Sequence, residues 1–254
     1  HRLPVTFVLD RAGVTGLDGA SHHGMWDGSI MQLVPGMKIA APRDAQRIVE
    51  LLNEAVEVSD GPTVVRFPKG KVGGEVEAIA KLGAMDVLQA PAVSLGEDVL
   101  LVGAGPMALT GLEIADRLAG QGIGVTVVDP RWTKPVDEAL VGAARRHRLV
   151  AVLEDNGRVG GFGDAVARLL RDHDVDVPVK TLGLPQEFLA HGTREEVLDE
   201  AGLTSQQLAL RITEAVARRS SAGTVPIPGP IPGPVPGGDA AEEREAAHER
   251  RQVE

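Results

Sequence analysis

At 254 residues and 43% hydrophobic composition, the chain is long enough for one large domain or two ordinary ones with real cores. A formal net charge of −10, with Lys and Arg scattered rather than gathered into a stripe, argues against nucleic-acid binding. The lack of cysteine excludes a disulfide, a thiolate nucleophile and a Cys-ligated metal, and no apolar run approaches the roughly 20 residues of a membrane span, so a cytoplasmic, membrane-free protein is the default expectation.

The chain starts at His1 and enters almost at once on an apolar strand, PVTFVLD (4–10), with nothing ahead of it to pack on. This predicts a piece from the interior of a longer protein. A Gly-rich loop (13–24), a short helix from Trp26 to Gln32 and a strand from Met37 to Ala40 come next. Pro42-Arg43-Asp44 then opens a helix whose Ile48, Leu51, Leu52, Ala55 and Val56 fall at helical spacing. TVVRFP (63–68) reads as a strand. Residues 70–97 hold only short apolar pieces broken by Gly and Pro, which predicts a domain boundary and linker.

From Glu97 the pattern is regular βα alternation. Strands are predicted at VLLVG, VTVVD, LVAVLED and VPVKTLG, and helices at Met107–Ala119, Val136–Arg146, Gly163–Arg171 and Ser205–Arg218. Alternation with short loops implies a mostly parallel sheet covered on both faces, so the expected class is α/β throughout. SAGTVPIPGPIPGPVPGG (221–238) predicts an extended, solvated linker, and the charged segment after it a disordered tail.

Two stretches concentrate chemistry. DRAGVTGLDGASHHG (10–24) places Asp10, Arg11, Asp18, Ser21, His22 and His23 among four glycines after the C-terminal end of a buried strand, where α/β sheets put ligand-contacting residues. Arg11 offers a planar fork for phosphate or carboxylate, His22 exchanges a proton near neutral pH, and Asp18 orients that imidazole or accepts from a substrate hydroxyl. The same composition also fits an ordinary surface loop. A metal site from His22 and His23 is disfavoured, because adjacent loop residues rarely ligate one ion. Arg66, near the end of the next strand, is expected to approach the same edge as Arg11, while Lys69 is the weaker candidate, since a loop lysine is usually just solvated.

The second stretch is GAGPMA (103–108) between two strands, with Asp129 ending the second. That is the fingerprint of a nucleotide-binding corner, and it keeps open an NAD(P)-binding module built on Gly103, Gly105 and Asp129. Any βαβ corner has the same need for glycines, so the pattern alone is a weak signal. EDNGRVGGFG (154–163) reads more simply as a strand end and helix cap than as a cation loop, and His191 as a turn or interface residue.

DRAGVTGLDGASHHG, VPGMKIAAPRDAQ (34–46), DGPTVVRFPKG (60–70), VDPRWTKPVDEAL (128–140), EDNGRVGGFGDAV (154–166) and GLPQEFLAHGTREEVLDEAGL (183–203) occur in an order that resembles the C-terminal part of the 1-deoxy-D-xylulose 5-phosphate synthase family, transketolase-like thiamine diphosphate enzymes. The resemblance runs over residues 3–218, and the DRAG…DG..H.G block separates that family from the transketolases and the 2-oxoacid dehydrogenase β-type subunits, which a match to the general pattern would also admit. It implies the second half of a pyrimidine-binding domain (1–80), a linker (81–96), a transketolase C-terminal-type domain (97–220) that serves chiefly in dimer contact, and a disordered tail (221–254). It implies condensation of pyruvate with D-glyceraldehyde 3-phosphate with loss of CO2, the entry step of non-mevalonate isoprenoid synthesis, which also feeds thiamine synthesis. The expected enzyme is a cytoplasmic homodimer that uses thiamine diphosphate and Mg2+. By the same resemblance Arg11 and Arg66 bind the aldehyde's phosphate, His22 contacts the substrate and moves a proton, and Asp18 positions the intermediate. His23 receives no role. The family's metal and diphosphate motif, its activating glutamate and its stacking aromatic are not in this chain, so no cofactor- or metal-binding residue is expected here and the chain by itself is expected to be inactive.

Overall fold

In the computed structural model, which describes residues 1–221, the elements run β1 (Thr6–Leu9), α1 (Asp27–Gln32), β2 (Lys38–Ala40), α2 (Ala45–Glu57), β3 (Thr63–Arg66), β4 (Ala80–Leu82), β5 (Met85–Gln89) and β6 (Val99–Gly103). They continue with α3 (Met107–Ala119), β7 (Val125–Asp129), β8 (Trp132–Lys134), α4 (Ala139–Ala144), β9 (Leu149–Gly157), α5 (Phe162–Asp172), β10 (Val179–Leu184), α6 (Arg194–Glu200) and α7 (Ser205–Ser221). Two sheets result, ordered β1-β3-β2-β8 and β10-β9-β6-β7-β5-β4. Both belong to one unit, His1–Arg219. The tail expected beyond α7 lies outside the described residues.

The second sheet has the doubly covered form that continuous apolar strands demand. All five residues of β6 are buried. Val99 and Leu101 pack with Val127 and Ala151 beneath Ile114 and Leu118 of α3 and Leu208 and Ile212 of α7. Leu100 and Val102 pack with Val128 and Val150 beneath Leu140 of α4 and Val166 and Leu170 of α5. Each such side chain contributes about 1.5–3 kcal/mol by leaving water, which makes this the main store of stability.

The first sheet has a thinner core. Ala40 and Val65 meet Leu51 and Ala55 of α2 on one face, and Ile39, Val64 and Met37 meet Met31 and Val34 on the other. Asp44 caps α2 by accepting from the Arg47 backbone N–H at 2.9 Å, where the Pro42-Arg43-Asp44 signal predicts the start. β1 pairs only with β3 and leaves Phe7 and Val8 47% and 50% exposed, beside an apolar groove of about 920 Å3.

The two halves are tied by exchanged parts. β8, from the second half of the sequence, pairs antiparallel with β2 of the first sheet, and Lys134 at its end donates to the carbonyls of Met31, Gln32 and Val34 at the end of α1 and just past it. Residues 81–96, expected to be a linker, hold most of the β4–β5 hairpin, which joins the second sheet through β5 and β7. Their pattern is misleading because Asp86, in mid-strand, is fully buried: it neutralises Arg43 (2.6 Å) and Arg47 (2.8 Å) from the first half. α4 is shorter than its predicted 136–146. α6 was not expected, although Thr193 and Glu196 form a reciprocal capping box, a signal present in TREE.

The GAGPMA corner is filled from within. A Cβ on Gly103 would lie 2.6 Å from the Ala108 Cα, and one on Gly105 would meet the Pro42 carbonyl and Ala41 at ordinary contact distance. Asp129 is wholly buried, and its Oδ2 accepts from Arg43 Nη1 at 2.6 Å instead of awaiting a ribose. With Asp129 committed to Arg43 and Ala41 and Pro42 at contact distance from Gly105, the geometry disfavours the NAD(P)-binding reading of Gly103, Gly105 and Asp129.

Candidate functional site

β1 and β3 run parallel with Leu9 opposite Arg66, so the turn after β1 and the end of β3 share one sheet edge. The turn is a closed loop. Ala12 N–H donates to the Phe67 carbonyl at 3.1 Å, and Gly13 N–H donates to the Gly24 carbonyl at 2.8 Å. Gly24 must be glycine here, because a Cβ would fall 2.4 Å from the Arg11 carbonyl oxygen. Val14 is fully buried in the core of the second sheet and pins the loop's inner side.

The outer side carries the polar groups. Asp18 Oδ2 accepts from Lys69 Nζ at 2.6 Å and lies 3.5 Å from Arg11 Nη1. The Lys69 hydrogen bond, with the charges of Lys69, Arg11 and His22, holds the Asp18 carboxyl below the usual aspartate range. Lys69 is therefore part of the cluster, contrary to its reading as a merely solvated lysine. His22 is exposed, with Nδ1 3.0 Å from Ser21 Oγ. A cavity of about 610 Å3 adjoins this edge, and Asp10, Lys69, Lys71 and Arg194 are among its lining residues.

Arg66 sits deeper. Its Nε and Nη2 form a two-point pair with Asp27 at 3.2 and 3.0 Å, and Nη2 also donates to the Asp155 carbonyl at 3.1 Å. Burial alone would lower its pKa, but the charge and hydrogen bonds of Asp27 outweigh that and raise it. Arg66 is thus engaged with Asp27 rather than standing as a free cation beside Arg11. Among the described residues its Nη1 has no partner.

His23, left without a role in the sequence, is buried. Its Nδ1 accepts from the Thr15 N–H at 3.0 Å, which places the ring proton on Nε2, facing the Ala190 carbonyl at 3.4 Å. It staples the loop to the segment before α6. His191 packs at the Gly19 end of the same contact. Glu154, in the EDNG stretch, accepts from the N–H groups of Phe162 and Gly163 at 2.9 Å each, so it caps α5; burial pushes its carboxyl up to about 7.

Asp27, Asp155 and Arg194 are site-forming residues that sequence reasoning missed. No local reading marks Asp27 or Arg194, whereas EDN is visible only as a strand end and cap.

Among the described residues no three His, Asp or Glu side chains sit where they could hold a metal ion, and no helix is long and apolar enough to cross a membrane.

Residues 1–74 match the family model of the transketolase pyrimidine binding domain, and residues 88–208 that of the transketolase C-terminal domain. The 1-deoxy-D-xylulose-5-phosphate synthase of Thermobifida fusca is 61% identical over 221 residues, covering 87% of this chain and 35% of the relative. 1-Deoxy-D-xylulose-5-phosphate synthase 2 of Kitasatospora griseola is 59% identical over 225 residues, covering 87% and 36%. The chain thus spans little more than a third of the length of these curated relatives. Among solved structures, a split-gene transketolase described as an inactive β4 tetramer superposes with TM-score 0.71 at 30% identity, covering 84% of this chain and 67% of that one. A transketolase from Pichia stipitis has TM-score 0.68 at 18% identity, covering 86% and 31%, which speaks to the fold alone.

Proposed function

The chain belongs to the transketolase family, and from that premise we propose that it supplies the acceptor-aldehyde side of a 1-deoxy-D-xylulose 5-phosphate synthase, which condenses pyruvate with D-glyceraldehyde 3-phosphate and releases CO2. The observation that carries the reading is the cluster on one sheet edge: Asp18 between Lys69 and Arg11, His22 beside them, and Arg66 below.

In this reading Asp18 and Asp27 serve as internal counter-ions that keep the cations ordered before substrate arrives. The acceptor phosphate takes over Lys69 and Arg11 and draws on Nη1 of Arg66, the donor that Asp27 and Asp155 leave open. Asp18, released from its pairs, accepts from an acceptor hydroxyl. Ser21 engages Nδ1 of His22 and leaves Nε2 to deliver a proton to the aldehyde oxygen as the new carbon–carbon bond forms.

Thiamine diphosphate and Mg2+ are what the family uses. Among the described residues no cluster of His, Asp or Glu side chains could hold the metal. A homodimeric, cytoplasmic enzyme accompanies the same proposal, as does inactivity of this chain by itself.

The test is Arg66→Ala in the protein at the full length of its relatives. Loss of one charge-assisted phosphate contact, about 1.5–3 kcal/mol, raises KM for D-glyceraldehyde 3-phosphate roughly ten- to a hundredfold while KM for pyruvate stays put. An unchanged KM for the phosphorylated acceptor removes Arg66 from the site.

A further inference from the structure

Asp155 lies near the end of the wholly buried β9 and reaches the candidate loop with its side chain, while its main chain meets Arg66. Its carboxylate fills the space beside Gly13, where a Cβ would come within 2.2 Å of it, and Gly13 has φ +74°, so side chains are excluded there twice over. Oδ1 accepts from the Val14 N–H at 3.1 Å, and Oδ2 accepts from Arg194 Nη2 at 2.5 Å. The other arm of Arg194, Nη1, donates to the Val14 carbonyl at 2.7 Å. Val14 is therefore gripped at both N–H and C=O by an ion pair from the C-terminal domain. The Asp155 carbonyl meanwhile receives Arg66 Nη2 at 3.1 Å.

The start of α6 also comes close. A Cβ on Gly16 would lie 3.2 Å from the Arg194 backbone nitrogen, leaving little room for a side chain between helix and loop. Arg194 also borders the cavity that Lys69 lines. The pair is largely withdrawn from water, with side-chain exposures of 21% for Arg194 and 6% for Asp155, so the grip is rigid and weakly screened.

We propose that Asp155 and Arg194 are positioning residues of the acceptor site: they clamp the Val14 backbone, thereby fix the loop that presents Arg11, Asp18 and His22, and aim Arg66 through the Asp155 carbonyl. The C-terminal domain then sets the phosphate selectivity of a site whose contacting residues all lie in the first domain. This inference rests on the acceptor reading above.

The experiment compares wild type, Arg194→Ala, Arg194→Lys and Asp155→Asn in the protein at the full length of its relatives, with D-glyceraldehyde 3-phosphate and unphosphorylated D-glyceraldehyde as alternative acceptors. The preference in kcat/KM for the phosphorylated acceptor falls about tenfold or more in Arg194→Ala and Asp155→Asn. Arg194→Lys, which keeps one of the two contacts, recovers part of it. Amide exchange across residues 11–24 speeds up in the same variants while residues 99–103 keep their protection. A general folding defect would lower both acceptors alike and leave the preference intact, and that result overturns the positioning role, as does an unchanged preference with faster loop exchange. If the wild-type protein fails to condense pyruvate with either acceptor, the proposed function itself falls, and the positioning role falls with it.

Discussion

Arg43, at the entry to α2, donates from one nitrogen to Asp129 at 2.6 Å, and the same nitrogen lies 2.6 Å from Asp86, so two strands of the second sheet are neutralised by a residue of the first domain. All three side chains are fully withdrawn from water. Removing one member of a buried ionic group strands the others, which costs more than the group's net contribution. Arg43→Ala is therefore expected to lower unfolding stability by about 3–5 kcal/mol, read from denaturant midpoints. A loss under about 1 kcal/mol would show that the two halves do not depend on this contact.

The pH dependence follows from the same burial. Burial pushes the Asp129 carboxyl from an ordinary 3.8 up to about 6, and that of Glu154 from 4.5 to about 7. A carboxyl raised in the folded state holds its proton better there than in the unfolded chain, so its contribution falls as pH rises from about 4 through 6 and 7, by on the order of 3 kcal/mol for each group. Asp86 acts in the opposite sense. Burial would raise it, but Lys81, Arg43 and Arg47 hold it at about 2, so its contribution is complete above 3.8 and is lost as pH falls toward 2. Between about pH 4.5 and 8 the change of unfolding free energy with rising pH should be more negative in the wild type than in Asp129→Asn. Equal slopes would contradict the buried state of Asp129.

These groups also show where the sequence is legible. The apolar runs of β6, β7 and β9 and the periodic α2, α3, α5 and α7 are visible because their burial follows local pattern. β8 and the β4–β5 hairpin are built from strands three to five residues long and are held by partners distant in sequence, so nothing local marks them. Asp86 reads as a solvent position and is core, because its neutralising partner Arg43 lies 43 residues away. At the candidate site, Arg11, Asp18 and His22 stand out by composition, yet Asp155 and Arg194, which hold the Val14 backbone, are far off in the chain, the first visible only as a strand end and the second unmarked. Composition announces contact chemistry, whereas the support behind it depends on tertiary closure.

The filled corner at Gly103 and Gly105 gives a negative expectation. Calorimetric titration of NAD and NADP against the 254-residue chain should yield no saturable heat at micromolar ligand, since Asp129 is committed to Arg43 and Ala41 and Pro42 lie against Gly105. Micromolar binding abolished by a bulky residue at Gly105 would reinstate the nucleotide reading.

The central claim, that the edge formed by β1, β3 and their loops recognises the phosphate of an acceptor aldehyde, is tested most directly by the preference for D-glyceraldehyde 3-phosphate over D-glyceraldehyde in Arg11→Ala and Lys69→Ala, made in the protein at the full length of its relatives. Both cations converge on Asp18. Each substitution is predicted to raise KM for the phosphorylated acceptor about tenfold, to leave KM for pyruvate within about twofold, and to change the unphosphorylated acceptor little. Equal losses with both acceptors, or no loss with either, would contradict a phosphate site at this edge.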